Sequence, residues 1–276
     1  NFDVSVLDME DSFGSALAID GLRLAIGAPL DDGFNNATTD SGAVYLFTFA
    51  NTAFGSPVLE ARMGAGYTGF KNVDVAGLEA GDQFGSSVTL RGNQLAVGAQ
   101  ADDGFNNLAS DSGAAYLFTF TSSIFNNGTL EGIGGVGYTG GKNFSVAGLA
   151  AGDFFGSALA FTDSGEGLAI GASQDDGDGD SNGNSGAVYL FDFADTVFSS
   201  ALQLATIGSG YSGPNDLSIA TLGTNANFGA ALAVSGSKLV VGTPGDFGVS
   251  GGGVDVGAAY LFTFTTPDLD GASLSG

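Results

Sequence analysis

Phe13-Gly14-Ser15-Ala16-Leu17-Ala18 is the stretch that decides the fold, because it recurs three times. It returns as Phe84-Gly85-Ser86-Ser87-Val88-Thr89, as Phe155-Gly156-Ser157-Ala158-Leu159-Ala160 and as Phe228-Gly229-Ala230-Ala231-Leu232-Ala233. The four phenylalanines stand 71, 71 and 73 residues apart. A second phrase keeps step with the first: Tyr45-Leu46-Phe47, Tyr116-Leu117-Phe118, Tyr189-Leu190-Phe191 and Tyr260-Leu261-Phe262. A fixed long period is the mark of one supersecondary unit repeated, each copy burying its apolar face against the next. The repeats run approximately over 1–71, 72–142, 143–214 and 215–276, read together as one domain.

Outward from the first phrase, Ser15 to Ile19 alternates small and large residues as a packed strand does. Asp20-Gly21 is a tight-turn pair, and Leu22 to Ile26 is the return strand of a hairpin. Gly27-Ala28-Pro29 ends it, since proline cannot continue a central ladder. A polar loop from Leu30 to Ser41 follows. Ala43 to Phe49 is a third strand with two largely apolar faces, which places a cover on both sides of the sheet. Pro57 to Arg62 reads as a fourth strand, and Val73 to Ala76 as a short fifth strand or edge hairpin. No segment shows a sustained helical period, and 48 glycines in 276 residues are too many for one. The expected fold is all-β, a β-propeller of four blades of about 71 residues closed into a ring. A β-solenoid is the competing repeat architecture, but its coils are shorter and lack such hairpin turns.

Phe-Gly-Ser at a strand start, a strand ending in Gly-Ala-Pro, an acidic loop and then Gly-Ala-Val-Tyr-Leu-Phe resemble the FG-GAP repeats. These build the propeller of integrin α-subunits and many bacterial surface proteins. Gly27-Ala28-Pro29-Leu30-Asp31-Asp32 is closest to the bacterial variety, and all four copies carry the pattern with variations. The resemblance implies a propeller and an extracellular or cell-surface location. It does not transfer the integrin calcium loop, because the connection where that loop sits is short in every copy here.

The acids stand instead in the loop after the second strand. Asp31, Asp32 and Asp40 recur as Asp102, Asp103 and Asp111. The third copy is richest, with Asp176, Asp178, Asp180 and Asn182 alternating with glycine and serine. Calcium takes six to eight oxygens on a glycine-bent loop, so calcium is the expected cofactor of these positions. The alternative is an Asp/Gly/Asn turn that bonds its own backbone. Phe34 and Phe105 lie inside these polar loops, with Phe247 as their fourth-copy counterpart. Each either folds back onto its repeat or joins a ring of aromatic contacts for a partner such as a glycan or a cell-surface protein.

Net charge is −24 with only six basic residues, so phosphate backbones are repelled and nucleic-acid binding is excluded. No apolar run is long enough for a membrane-spanning helix. Cysteine and histidine are absent, which removes thiol chemistry and the usual general base of a nucleophilic triad. No enzymatic activity is expected. Asn1 is not a translation start, which suggests processing or excision. Residues 1–7 repeat the segments that begin at Asn72 and Asn143, so they read as a spare last strand of a blade. Phe2, Val4 and Val6 alternate as an edge strand does. They are expected to complete a last blade, on the chain itself or on a second copy, giving a filament or surface-layer subunit.

Overall fold

The computed structural model describes residue 4 and residues 7–248 and 256–275. Among these the chain is all-β, apart from one short 3-10 turn at Phe34–Asn36. The strands fall into four separate sheets, one per repeat. The first holds β1 (Ala16–Asp20), β2 (Arg23–Ala28), β3 (Ala43–Thr48), β4 (Val58–Gly64) and β5 (Val73–Asp74) in that order. The second holds β6 (Phe84–Arg91), β7 (Gln94–Ala99), β8 (Ala114–Thr119), β9 (Thr129–Gly135) and β10 (Phe144–Ser145). The third holds β11 (Phe155–Phe161), β12 (Gly167–Ala172), β13 (Ala187–Asp192), β14 (Leu202–Gly208) and β15 (Leu217–Ser218). The fourth has four strands: β16 (Ala231–Ser235), β17 (Lys238–Thr243), β18 (Ala258–Thr263) and β19 (Ser273–Leu274).

The first four strands of each sheet are an antiparallel meander, as the hairpin turns require. The fifth is parallel to the fourth: Met63 pairs with Val73 and Gly64 with Asp74. The chain therefore crosses back through Tyr67 before it enters the next repeat. Strands three and four share a bulge at one place in three copies, between Leu46 and Phe47, Leu117 and Phe118, and Leu190 and Phe191. An extra residue there bends the strand and raises its twist.

Successive sheets pack face to face, and the core lies between them. Val44, Leu46 and Met63 of the first sheet meet Phe84, Val97, Tyr116 and Phe118 of the second in one buried cluster. The same arrangement joins the second sheet to the third and the third to the fourth. Buried apolar area of this kind is the main term holding such repeats together.

The two recurrent phrases are two halves of one contact. A Cβ added at Gly27 would lie 2.0 Å from the carbonyl oxygen of Gly85 in the next repeat. Gly98 meets Gly156 at the same 2.0 Å, and Gly171 meets Gly229 at 2.1 Å. Only glycine lets the two backbones approach so closely. Backbone bridges Gly42–Phe84, Gly113–Phe155 and Gly186–Phe228 lock the same junctions.

Among the described residues no strand pairing joins the fourth sheet to the first, so the expected ring closure is not seen there. Leu17 and Ile19 of the first sheet are 65% and 54% exposed, and Leu261 of the fourth is 49% exposed. Phe2 and Val6 of the expected terminal strand lie outside the described residues. Val4 is buried, in no strand, and packs with Ile26, Tyr45 and Tyr67 on its own first sheet rather than on the fourth. It stands nine residues before Phe13, as Val75 stands before Phe84.

Candidate functional site

The loops between the second and third strands gather at the end of the sheets opposite the hairpin turns. Each is built around a buried aspartate. Asp31 accepts hydrogen bonds from the Tyr45 hydroxyl at 2.7 Å, the Tyr67 hydroxyl at 2.9 Å and the Gly33 amide at 2.9 Å. Asp102 is held in the same way by Tyr116, Tyr138 and Gly104. Asp175 is held by Tyr189, Tyr211 and Gly177. In the fourth repeat Asp246 keeps Tyr260 and Gly248.

These networks fix the loop to both the third strand and the crossing before the fifth. Burial drives the Tyr45, Tyr116 and Tyr189 hydroxyls far above their ordinary range, so they remain donors. Burial and the neighbouring carboxyl push Tyr67 up to about 12. Burial also raises the Asp102 and Asp175 carboxyls.

The next aspartate ties the loop to itself. Asp32 accepts from the Asp40 amide at 2.8 Å, Asp103 from the Asp111 amide at 2.8 Å and Asp176 from the Asn184 amide at 2.6 Å. The Asn182 side chain donates to the Leu222 carbonyl at 2.8 Å and accepts from the Thr224 hydroxyl at 3.1 Å. Its amide is thus committed to its neighbours. Among the described residues no three acidic side chains converge where a metal ion could sit. Of the third-copy set, Asp176 and Asn182 bond protein groups through their side chains. The loops are arranged as aspartate turns, with Asp31, Asp32, Asp102 and Asp103 bonding protein groups.

A second set of carboxyls stands behind the first. Asp11, Asp82 and Asp153 accept the Asp8, Glu79 and Ala150 amides, each at 2.7 Å. Burial, reinforced by Asp102 and Asp175, pushes Asp82 and Asp153 up to about 7. Sequence reading missed this pair at each junction. An aspartate two residues before the recurrent Phe, in three copies of four, is the signal that was there.

At the surface Phe34 is 42% exposed and Phe105 47% exposed. Their rings meet Tyr67 and Tyr138 edge to face, at 6.1 and 6.0 Å. Each phenylalanine is half folded back and half presented. Phe247 is not their counterpart: Gly248 donates to Asp246 as Gly33 does to Asp31, so Phe247 occupies the position of Asp32. Its ring lies by Gly223 instead. Beside Phe34 a cleft of about 560 Å³ is lined by Asp8, Asp11, Asp31, Asn36, Arg62 and Tyr67. Arg62 lies over the Tyr67 ring at 4.9 Å, a cation–π contact. Ile133 and Thr206 pair at the matching positions of β9 and β14, so this contact belongs to the first repeat.

Lys71 and Lys142 bridge repeats. Lys71 binds Glu60 and donates to the Ile124 carbonyl at 2.7 Å. Lys142 binds Glu131 and donates to the Val197 carbonyl at 2.5 Å. No helix among the described residues is long and apolar enough to cross a membrane.

No curated protein matches the chain. Among solved structures it is similar to a "putative 6-phosphogluconolactonase" of Bacteroides uniformis, with 11% identity and a TM-score of 0.44, covering 95% of this chain and 71% of that one. A "putative 6-phosphogluconolactonase" of Bacteroides fragilis gives 12% identity and a TM-score of 0.41, covering 95% and 69%. The sequence expectation of a protein without enzymatic activity does not stand against this finding and is withdrawn. At such identities and TM-scores the likeness assigns no activity to the chain either. Residues 8–47, 77–118 and 147–191 match the FG-GAP repeat, so these three segments of the chain are FG-GAP repeats.

Proposed function

We propose that this protein is an extracellular structural or adhesion module. Its four sheets serve as propeller blades, and it assembles with further copies of itself. The observation that carries the reading is the thrice-repeated junction of Phe-Gly on Gly-Ala, which makes a stiff array and spends most of the apolar residues on it. FG-GAP repeats are typically extracellular, and a chain without cysteine and with net charge −24 suits exposure to solvent without redox chemistry. Antibodies raised against the chain should label the surface of intact cells that produce it. Labelling only after the cells are opened would sink the surface reading.

A second reading is a binding module for a glycan or a protein, favoured by the matched exposure of Phe34 and Phe105 on their tyrosine supports. Aromatic faces beside amide and carboxyl groups suit sugar rings. Phe34→Ala with Phe105→Ala should abolish retention on a glycan array or on whole cells. Retention unchanged by the pair would remove this reading and leave the first.

A further inference from the structure

The faces turned outward at the two ends of the array are the two halves of the junction that the chain makes three times internally. Val88 and Leu90 of β6 are 8% and 7% exposed, and Leu159 and Phe161 of β11 are 7% and 8% exposed, because the preceding sheet covers them. Their counterparts on β1 are Leu17 and Ile19, at 65% and 54%. Phe125 and Phe198 are fully buried, whereas Phe54 at the same position is 58% exposed. The first sheet thus presents the half that normally inserts.

The fourth sheet presents the half that normally receives. Ala25, Ala96 and Ala169 are fully buried, while Val240 at their position is 37% exposed. Leu46, Leu117 and Leu190 are fully buried, while Leu261 is 49% exposed. Ala231 and Ala233 are exposed beside them. The glycine contact is divided in the same way. A Cβ at Gly14 would meet nothing within 4 Å, and the nearest atoms to one at Gly242 would be those of Ala231 of its own sheet. The fourth sheet also has no fifth strand among its described residues.

We propose that the open face of the fourth sheet receives the open face of the first sheet of a second copy, head to tail, through the junction used inside the chain. The proposal rests on the self-assembly part of the reading above and names its surface. Leu17, Ile19 and Phe54 of one copy pack over Ala231, Ala233, Val240 and Leu261 of the other, and Gly14 approaches Gly242. The chemistry is apolar, and apolar faces of this kind mark association sites. A self-complementary pairing of like faces is not expected, because each face is shaped for the other. Such an interface is heterologous, so it closes a ring or extends a filament. The charge of −24 per copy opposes association, so salt strengthens it by screening.

Sedimentation of the 276-residue chain and two variants in moderate salt is the test. Ile19→Glu blocks only the first-sheet face, and Leu261→Glu only the fourth-sheet face. Both sites are exposed, so unchanged circular dichroism should show that each variant folds. The parent chain is expected to associate, and each variant alone to be monomeric, its association weakened by about 100-fold or more. An equimolar mixture of the two is expected to form a one-to-one dimer, because each supplies the face the other lacks. A parent chain that stays monomeric overturns the proposal, even if a further repeat fused to it supplies the cover. Self-association surviving in either variant, or a mixture without dimer, overturns it equally. Surface labelling of cells is read separately, so the assembly surface and the extracellular reading can fail independently.

Discussion

The third and fourth repeats carry nearly the same phrases and end in different states. β13 reads Ala187-Val188-Tyr189-Leu190-Phe191-Asp192 and all but its last residue are buried. β18 reads Ala258-Ala259-Tyr260-Leu261-Phe262-Thr263 and is exposed at alternate positions. The third aspartate has two tyrosine donors and Asp153 behind it; the fourth has Tyr260 alone, and Ala226 stands where Asp153 would. The difference teaches that a strand phrase specifies a sheet, but only a neighbouring repeat makes it a core. Burial here is a property of the array more than of the repeat.

The comparison can be broken most strongly at the leucine pair. Leu190→Ala should destabilise the chain by about 2–5 kcal/mol, as truncation in a packed core does. Leu261→Ala in the monomeric chain should cost under about 1 kcal/mol, as at other exposed sites. Chemical denaturation of both reads the contrast, and equal effects would mean that the fourth sheet is covered. A glycine pair comes next. Gly98→Ala must push two backbones apart and should cost about 3 kcal/mol. Gly242→Ala meets its nearest atom, the Ala231 Cβ, at 3.2 Å and should cost about 1 kcal/mol or less by the same assay.

The tyrosines give a smaller effect. Tyr189→Phe removes one donor from a buried carboxyl and should cost about 1–3 kcal/mol, against about 1 kcal/mol for Tyr260→Phe at its less buried position.

The pH dependence separates the repeats further. Asp82 and Asp153 have folded-state values near 7 against an ordinary 3.8, so the folded chain holds their protons more tightly than the unfolded chain. Their contribution is most favourable below pH 3.8 and declines as pH rises to about 7. Above that it stays at its least favourable. Asp153→Asn should therefore gain stability over the parent at pH 8 and show little difference at pH 4, measured by urea midpoints. A parent and variant with parallel profiles would refute the buried-carboxyl assignment. Chelation is the smallest effect: with Asp31, Asp32, Asp102, Asp103 and Asp176 already bonded to protein groups, removing calcium should leave the thermal midpoint unchanged. A drop that calcium restores would return Asp178 and Asp180 to consideration as ligands.

Much of the fold was legible in the residues. The Phe-Gly phrase, the Asp20-Gly21 turn and the Tyr-Leu-Phe strand place the four-strand meander within a residue or two. The parallel fifth strand was not legible in direction, since Val73–Asp74 is too short to carry an alternation. Ring closure was not legible, because a repeat count says nothing about the angle between successive sheets. At the site, the acidic loops were found, but the hydrogen-bond partners of their aspartates were not. An aspartate-rich loop reads alike whether its oxygens face a cation or backbone amides, and the deciding donors come from elsewhere. Tyr67 lies 36 residues from Asp31 in sequence. The nearer partner was visible, for each buried aspartate precedes its strand tyrosine by 14 residues in all four copies.

The junction of Gly27 on Gly85 has a consequence for how the molecule is made. Each junction joins a sheet to the one made just before it, so no junction has to wait for a distant part of the chain. The second repeat can dock as it leaves the ribosome, then the third, then the fourth, so growth follows synthesis from the amino end. At every stage one receiving face, the most recently made, is left bare. The nascent chain is thus vulnerable at a moving front, and any chaperone that guards that front meets the same kind of surface at every stage.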